Sequence, residues 1–312
     1  MAREPFVSKT RLGITWLDAA NLSQFPWLLH AFSTRQGGVS RGGGEGLNLG
    51  NADARQPLPV RRNRDKFLEA IGARQFSLAA IHQIHSAEIF QVTAGKNGSL
   101  NYLPSGYTFA ASDRMEIHSG DATMAAAPGV LLSVRTADCL PVLLADSRLR
   151  VVAAIHAGWR GALKRIVEKT VGEMRRIFGS EPRHVFAALG PSIRGCCYEV
   201  GDEVVDAFCG GFVYGEKFFR KTAESTRKPA GFPGFLSMMP PGHTRPRGSG
   251  LGLDLVAVAK DQLQSAGVPR AHIQVADFCT ACRTDLFFSY RKEGKQTGRM
   301  MAVIGIRPAR VS

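Results

Sequence analysis

Apolar residues gather in short runs through the middle of the chain. Val130–Val134, Leu140–Leu144 and Val151–Ile155 are such runs, each bounded by turn or polar residues. Runs of this length predict strands, and the near-continuous apolarity of the third predicts burial on both faces. Gly158-Trp159-Arg160-Gly161 then turns the chain. Beyond it, Leu163, Ile166, Val167, Thr170, Val171, Met174, Ile177 and Phe178 recur at helical spacing, with polar residues opposite. Strand, glycine turn and helix make a βα unit. Its helix N-terminus offers N–H groups and a positive dipole end to an anion.

The same reading extends outward. Val185–Leu189 is a buried strand stopped by Gly190-Pro191, and Val200–Phe208 a short helix. Asp254–Gly267 is a helix with Asp254 as its N-cap and Gly267 as its stop. Short strands are expected near Ile273–Val275, Leu286–Ser289 and Met300–Ile306. Upstream, the apolar run Trp27–Ser33 leads into a turn-rich loop, and Arg41–Asn51 is rich in glycine. Val60–Ile71 has helical spacing, Ser77–Val92 is strand-like, and Asn97–Ser119 is a long irregular loop. Thr222–Gly252, rich in Pro, Gly, Arg and Lys, is a poor core former and is expected to be an exposed insertion. Helices and strands mix without strict alternation. This predicts one α/β (α+β) domain over residues 1–312, with mixed β-sheets and flanking helices.

Composition narrows the classes. The chain has 312 residues, 44% of them hydrophobic, enough for a sizeable core. Its 34 glycines and 16 prolines fall below the level of low-complexity chains. Net charge is +14, which favours anionic partners. The densest basic run, Arg61 to Lys66, is interrupted by Asn63 and Asp65, and no nucleic-acid-binding motif surrounds it. A solvated basic face is the plainer reading, so no specific nucleic-acid partner is expected. The 6 cysteines are too sparse for a disulfide scaffold. The N-terminus lacks a signal-peptide core, and no apolar run is long enough to span a membrane. A cytoplasmic protein without a membrane partner is the expectation; the pattern leaves its oligomeric state open.

Three residues stand where reactive groups are usually presented: His85, Cys139 and His156. Each closes an apolar stretch beside a turn. Two imidazoles and a thiolate are three of the four ligands of a tetrahedral zinc site, leaving the fourth position for water. Their spacing matches no short metal motif, and each taken alone has an ordinary reading as a core residue. His82 is a control: in a strand, residues an odd number apart face opposite sides, so His82 and His85 would diverge. Cys279-Thr280-Ala281-Cys282 is a CxxC without a second copy, and Cys196-Cys197 would point apart if extended. Incidental thiols are the plainer reading for both. Arg35 and Arg160 lie in glycine-flanked turns suited to phosphate or carboxylate, Arg160 being better placed at the βα turn.

Seven stretches occur in one order over nearly the whole chain. They are His30-Ala31-Phe32-Ser33-Thr34-Arg35-Gln36-Gly37-Gly38-Val39-Ser40, Leu47-Asn48-Leu49-Gly50, Gln83-Ile84-His85 and Thr136-Ala137-Asp138-Cys139-Leu140-Pro141. Then come His156-Ala157-Gly158-Trp159-Arg160-Gly161, Gly190-Pro191-Ser192-Ile193 with Cys196–Gly201, and Phe287–Arg291 with Thr297–Met300. In these stretches the chain resembles the YfiH-like family. That family is also called laccase-domain or polyphenol-oxidase-like, and multifunctional purine nucleoside phosphorylase. The resemblance implies a single domain of YfiH-like fold with His85, Cys139 and His156 as its zinc-binding catalytic site. It also implies phosphorolysis of adenosine, inosine, guanosine or methylthioadenosine, and deamination of adenosine. The partners are then a nucleoside and phosphate, the latter a ligand for Arg160 and Arg35. Asp121 and Asp138 are candidate proton donors by proximity to the motifs. An alternative is a Cys/His hydrolase editing wrongly attached amino acids in peptidoglycan precursors, with Cys139 as nucleophile. A copper polyphenol oxidase fits less well: 8 histidines include no His-x-His pair, although copper can load the same donors. Two departures bear on specificity. Ser86 stands where the family usually has Gly and would narrow the pocket, and 97–119 and 222–252 are longer than usual.

Overall fold

The computed structural model describes residues 4–50, 57–96, 99–105, 118–222 and 250–308. Two mixed sheets lie face to face. The 6-stranded sheet runs Phe6–Arg11, Ile14–Ala19, Leu28–Ser33, Met300–Ile306, Val130–Thr136, Ser77–Ala79. The 7-stranded sheet runs Ile273–Val275, Val185–Leu189, Leu140–Asp146, Val152–Ala157, Ala122–Ala125, Ile89–Ala94, Leu100–Pro104. Most pairs are antiparallel. Parallel pairs join Ser77–Ala79 to Val130–Thr136, Val185–Leu189 to Ile273–Val275, and Ile89–Ala94 to Ala122–Ala125.

Strand alternation explains the layering. In Leu140–Asp146, Leu140, Val142 and Leu144 pack towards helices, whereas Leu143 and Ala145 pack into the space between the sheets. Met300–Ile306 divides likewise: Met300, Ala302, Ile304 and Ile306 face the inter-sheet core, and Met301 and Val303 face the helix Pro57–Ala70. The helices Ile166–Phe178, Asp202–Gly211 and Leu255–Ser265 cover the outer face of the 7-stranded sheet. The order of layers is helix, sheet, sheet, helices. Both sheets are covered on both faces, which is why their central strands are apolar throughout.

The central strands, the C-terminal strand and the main helices form where the pattern predicts them. Asp254 caps its helix, accepting from the N–H groups of Val256 and Ala257 at 3.1 Å each. Gly267 ends it at φ +91°. Three predicted elements differ. The helix after Gly158 is two helices, Trp159–Leu163 and Ile166–Phe178, broken where Arg165 turns left-handed at φ 61°. Leu286–Ser289 leaves a turn as irregular chain and is not a strand. The strand expected over Ser77–Val92 is two strands, Ser77–Ala79 and Ile89–Ala94, with a loop between. Part of the expected irregular loop, Leu100–Pro104, is a strand; residues 106–117 and most of the expected insertion (223–249) lie outside the described residues. The polar strand Phe6–Arg11, one edge of the 6-stranded sheet, carries no apolar alternation to betray it.

Candidate active site at the mouth of the sheet sandwich

The site lies where the space between the sheets opens. His156 stands near the end of Val152–Ala157, in phase with Val152 and Ala154, which face the inter-sheet core. Cys139 directly precedes Leu140–Asp146, and the strand register sets His156 opposite Pro141. The two residues therefore meet because their strands are neighbours.

His85 arrives by a different route. Its loop is held by two side-chain anchors, the half-buried Gln83 and the buried Asp121, rather than by a strand. The Gln83 amide copies a strand pairing, donating to the Arg135 carbonyl at 2.8 Å and accepting from the Arg135 N–H at 2.9 Å. The Asp121 carboxylate accepts from the N–H groups of Ile84, His85 and Ser86 at 3.3, 3.0 and 2.5 Å. Gathering three successive N–H groups onto one carboxylate bends the chain, and His85 takes φ 59°. Ser86 does not border the cavity. Its hydroxyl donates to the same carboxylate at 2.7 Å, so the hydroxyl ties down Asp121 and does not narrow the pocket.

The three donors converge. The Cys139 Sγ lies 3.7 Å from His85 Nε2. The rings of His85 and His156 stand nearly edge to face, 4.9 Å apart. One donor atom from each residue lies within 4.8 Å of the others. His156 Nδ1 is 2.7 Å from the Asp121 carboxylate, which leaves Nε2 for the cavity. Carboxylate, imidazole and thiol form an ordered chain from the buried interior to the opening. Burial would raise the Cys139 thiol, but His156 and then His85 outweigh it and hold it near pKa 6. Burial would lower His156; the Cys139 thiolate and Asp121 overcome that and lift it to about 9. Without an ion, thiolate and imidazolium are the stable pair.

This donor set suits a metal ion. A tetrahedral zinc with one sulfur and one nitrogen ligand sets those atoms about 3.5 Å apart, close to the observed sulfur–nitrogen distance. Gly158 makes room for it: a Cβ there would meet His85 Cδ2 at 2.7 Å and Cys139 Sγ at 3.1 Å.

The trio opens into a cavity of about 1210 Å³. Its wall carries Arg41, Arg135, Arg160, Arg291, Lys295 and Arg299; Asp138 is the one carboxylate among the described lining residues. Burial, with Arg64 and Arg299 nearby, lowers the Arg135 guanidinium to about 10. Like charges crowded in this way favour an anion between them. Arg160 is on this wall, its guanidinium 4.3 Å from the Trp159 ring centre. Arg35 is not among the lining residues. It donates to Glu293 and to the Thr284 carbonyl, both at 2.7 Å, and stacks 4.4 Å from the Phe288 ring centre, a structural clamp between loops. Of the two candidate proton donors, Asp121 is buried beneath His156, and Asp138 borders the cavity while accepting from Thr280 Oγ1 and the Arg291 N–H. His82 borders the cavity too, because the loop is not a strand and alternation does not apply. Sequence reasoning missed Arg135, Arg291, Arg299 and Tyr198; the last three lie in stretches that carry the resemblance.

A model of the family described as "multi-copper polyphenol oxidoreductase laccase" matches residues 29–307. The chain belongs to this family. Relatives of this laccase-like chain carry other names. A Deinococcus radiodurans protein named purine nucleoside phosphorylase is 35% identical, over 95% of this chain and 95% of its own. A protein named adenosine deaminase RL5, from an unknown prokaryotic organism, is 32% identical over 87% of this chain and 91% of its own. Among solved structures, Bacillus licheniformis hypothetical protein YfiH matches with a TM-score of 0.77 at 28% identity, covering 97% of this chain and 100% of that one. Family and mixed α/β fold are those the motifs imply. Among the described residues, no helix is long and apolar enough to cross a membrane.

Proposed function

We propose that the chain is a purine nucleoside phosphorylase that also deaminates adenosine, with zinc held by His85, Cys139 and His156. One observation carries the reading: a metal-ligating trio and a ring of cationic side chains share one cavity. Phosphorolysis needs an anion beside a nucleoside, and the cationic wall supplies the anion's place. Zinc, when bound, supplies a Lewis acid and an acidified water. Arg160, with its neighbours on the wall, orients phosphate towards the sugar carbon, while the cavity's breadth admits base and pentose together. The glycosidic C–N bond breaks as the phosphate oxygen bonds to that carbon, and the electron pair leaves with the purine. Asp121 keeps His156 in the tautomer that presents Nε2. Relatives that are named for the two activities support the assignment. All six cysteines are free thiols, which suits a reducing cytoplasm.

A second reading rests on the metal-free pair. A thiolate at about 6 beside a protonated His156 is a ready nucleophile for amide hydrolysis, as editing of peptidoglycan precursors would require.

Incubation with inosine and with adenosine, with and without phosphate, separates the two. The nucleoside reading expects hypoxanthine from inosine only with phosphate, inosine from adenosine without it, and loss of both in Cys139→Ala and after chelation. Absence of turnover by fully zinc-loaded protein overturns it. Amide hydrolysis that survives chelation would favour the second reading.

A further inference from the structure

Cys196, Cys197, Cys279 and Cys282 come from two loops more than 80 residues apart, yet their sulfurs all lie within 4.8 Å of one another. The divergence expected of an extended Cys196-Cys197 does not hold, because these residues sit in a turn. Cys196 and Cys197 sulfurs are 3.8 Å apart, Cys196 and Cys282 3.8 Å, and Cys197 and Cys282 3.3 Å. A tetrahedron of sulfurs about 2.3 Å from a zinc ion has edges of about 3.8 Å. A disulfide needs about 2.05 Å and would use two of the four thiols. A multi-iron cluster needs its sulfurs further apart than this set allows.

The surroundings match a ligand shell. The N–H of Arg194 donates to Cys279 Sγ at 3.4 Å. The N–H groups of Cys282 and Arg283 turn back onto the Cys279 carbonyl at 3.2 and 3.0 Å, curling the CxxC around a common centre. We propose that these four cysteines bind one structural zinc ion, separate from the ion of the cavity. Binding replaces four thiol protons by the metal and releases them to solvent.

The four-sulfur site joins the two loops that brace the cavity. Thr280, inside the CxxC, donates through its N–H to the Ser192 carbonyl at 3.1 Å and through Oγ1 to Asp138 at 2.6 Å. Tyr198, next to Cys197, lines the cavity. The ion thus positions Asp138, the neighbour of Cys139, without touching substrate.

Metal analysis of protein purified under reductant tests this. The expected result is two zinc ions per wild-type chain, one in Cys139→Ala and one in Cys282→Ser. Cobalt loaded into Cys139→Ala should show the absorption of a four-thiolate tetrahedral site. That arm stands if Cys282→Ser fails to fold. A metal-free Cys139→Ala protein without the cobalt–thiolate absorption overturns the proposal. So does peptide mapping that recovers Cys197 and Cys282 as a disulfide with no second ion. The counts do not depend on nucleoside turnover, so this proposal and the catalytic one can fail separately.

Discussion

At the scale of single residues, two positions have consequences out of proportion to their size. Gly158 has an ordinary backbone conformation and is needed for space alone: its missing Cβ is where His85 and Cys139 approach. Gly158→Ala should fold with a near-normal melting temperature, yet lose zinc from the cavity and about 100-fold in turnover, since a displacement near 1 Å suffices for that. Metal analysis beside a melting curve checks both. His30 is buried, and its Nε2 accepts the Ala19 N–H at 2.9 Å, which only the neutral ring can do. Burial lowers it from 6.5 to about 4. The unfolded chain therefore binds this proton more readily. The stabilisation is whole above pH 6.5, shrinks as pH falls towards 4, and is gone below, a loss of about 3 kcal/mol. Urea unfolding at several pH values should show His30→Gln without that part of the acid sensitivity. His85, Cys139 and His156 were legible as residues beside turns. That Asp121 shapes the His85 loop was not, because a carboxylate gathering N–H groups 36 residues away leaves no local pattern.

Secondary-structure elements divide between those that announce themselves and those made by their neighbours. The helix Leu255–Ser265 has its own cap and stop. Asp254→Ala should cost about 1–2 kcal/mol, read as a lower urea midpoint with an unchanged slope. The strands Leu140–Asp146 and Val152–Ala157 were legible from apolarity because both faces are buried. The loop from Ala80 to Glu88 was not, since its apolar residues mimic a strand while three successive N–H groups, from Ile84 to Ser86, go to Asp121. Cys196-Cys197 misled for a related reason: alternation holds only where the backbone is extended, and here it turns.

For the molecule as a whole, the charge of +14 has two homes. Much of it is dispersed over the surface, but six cations meet on the cavity wall. Arg160→Ala should raise the KM for phosphate roughly ten- to hundredfold, as expected for a charge-assisted contact, and leave the zinc content unchanged. In the wild type the same KM should climb with added sodium chloride. Initial-rate measurements at several salt concentrations check both. The cationic cavity was legible only as an excess of Arg and Lys: Arg41, Arg135, Arg160, Arg291 and Arg299 meet through folding, across 250 residues of chain.

The strand Met300–Ile306 pairs with Leu28–Ser33 on one side and Val130–Thr136 on the other. Its position has a meaning in time as well as in space. During synthesis, every residue of the His/Cys/His trio has left the ribosome while the middle of the first sheet is still missing. Two strand edges then stand open until residues 300–306 arrive, and such edges recruit other chains. High contact order slows the final closure further. The nascent protein is thus most exposed to aggregation just before residues 300–306 emerge, and a chain cut short before residue 300 would carry all three donors beside a first sheet that cannot close.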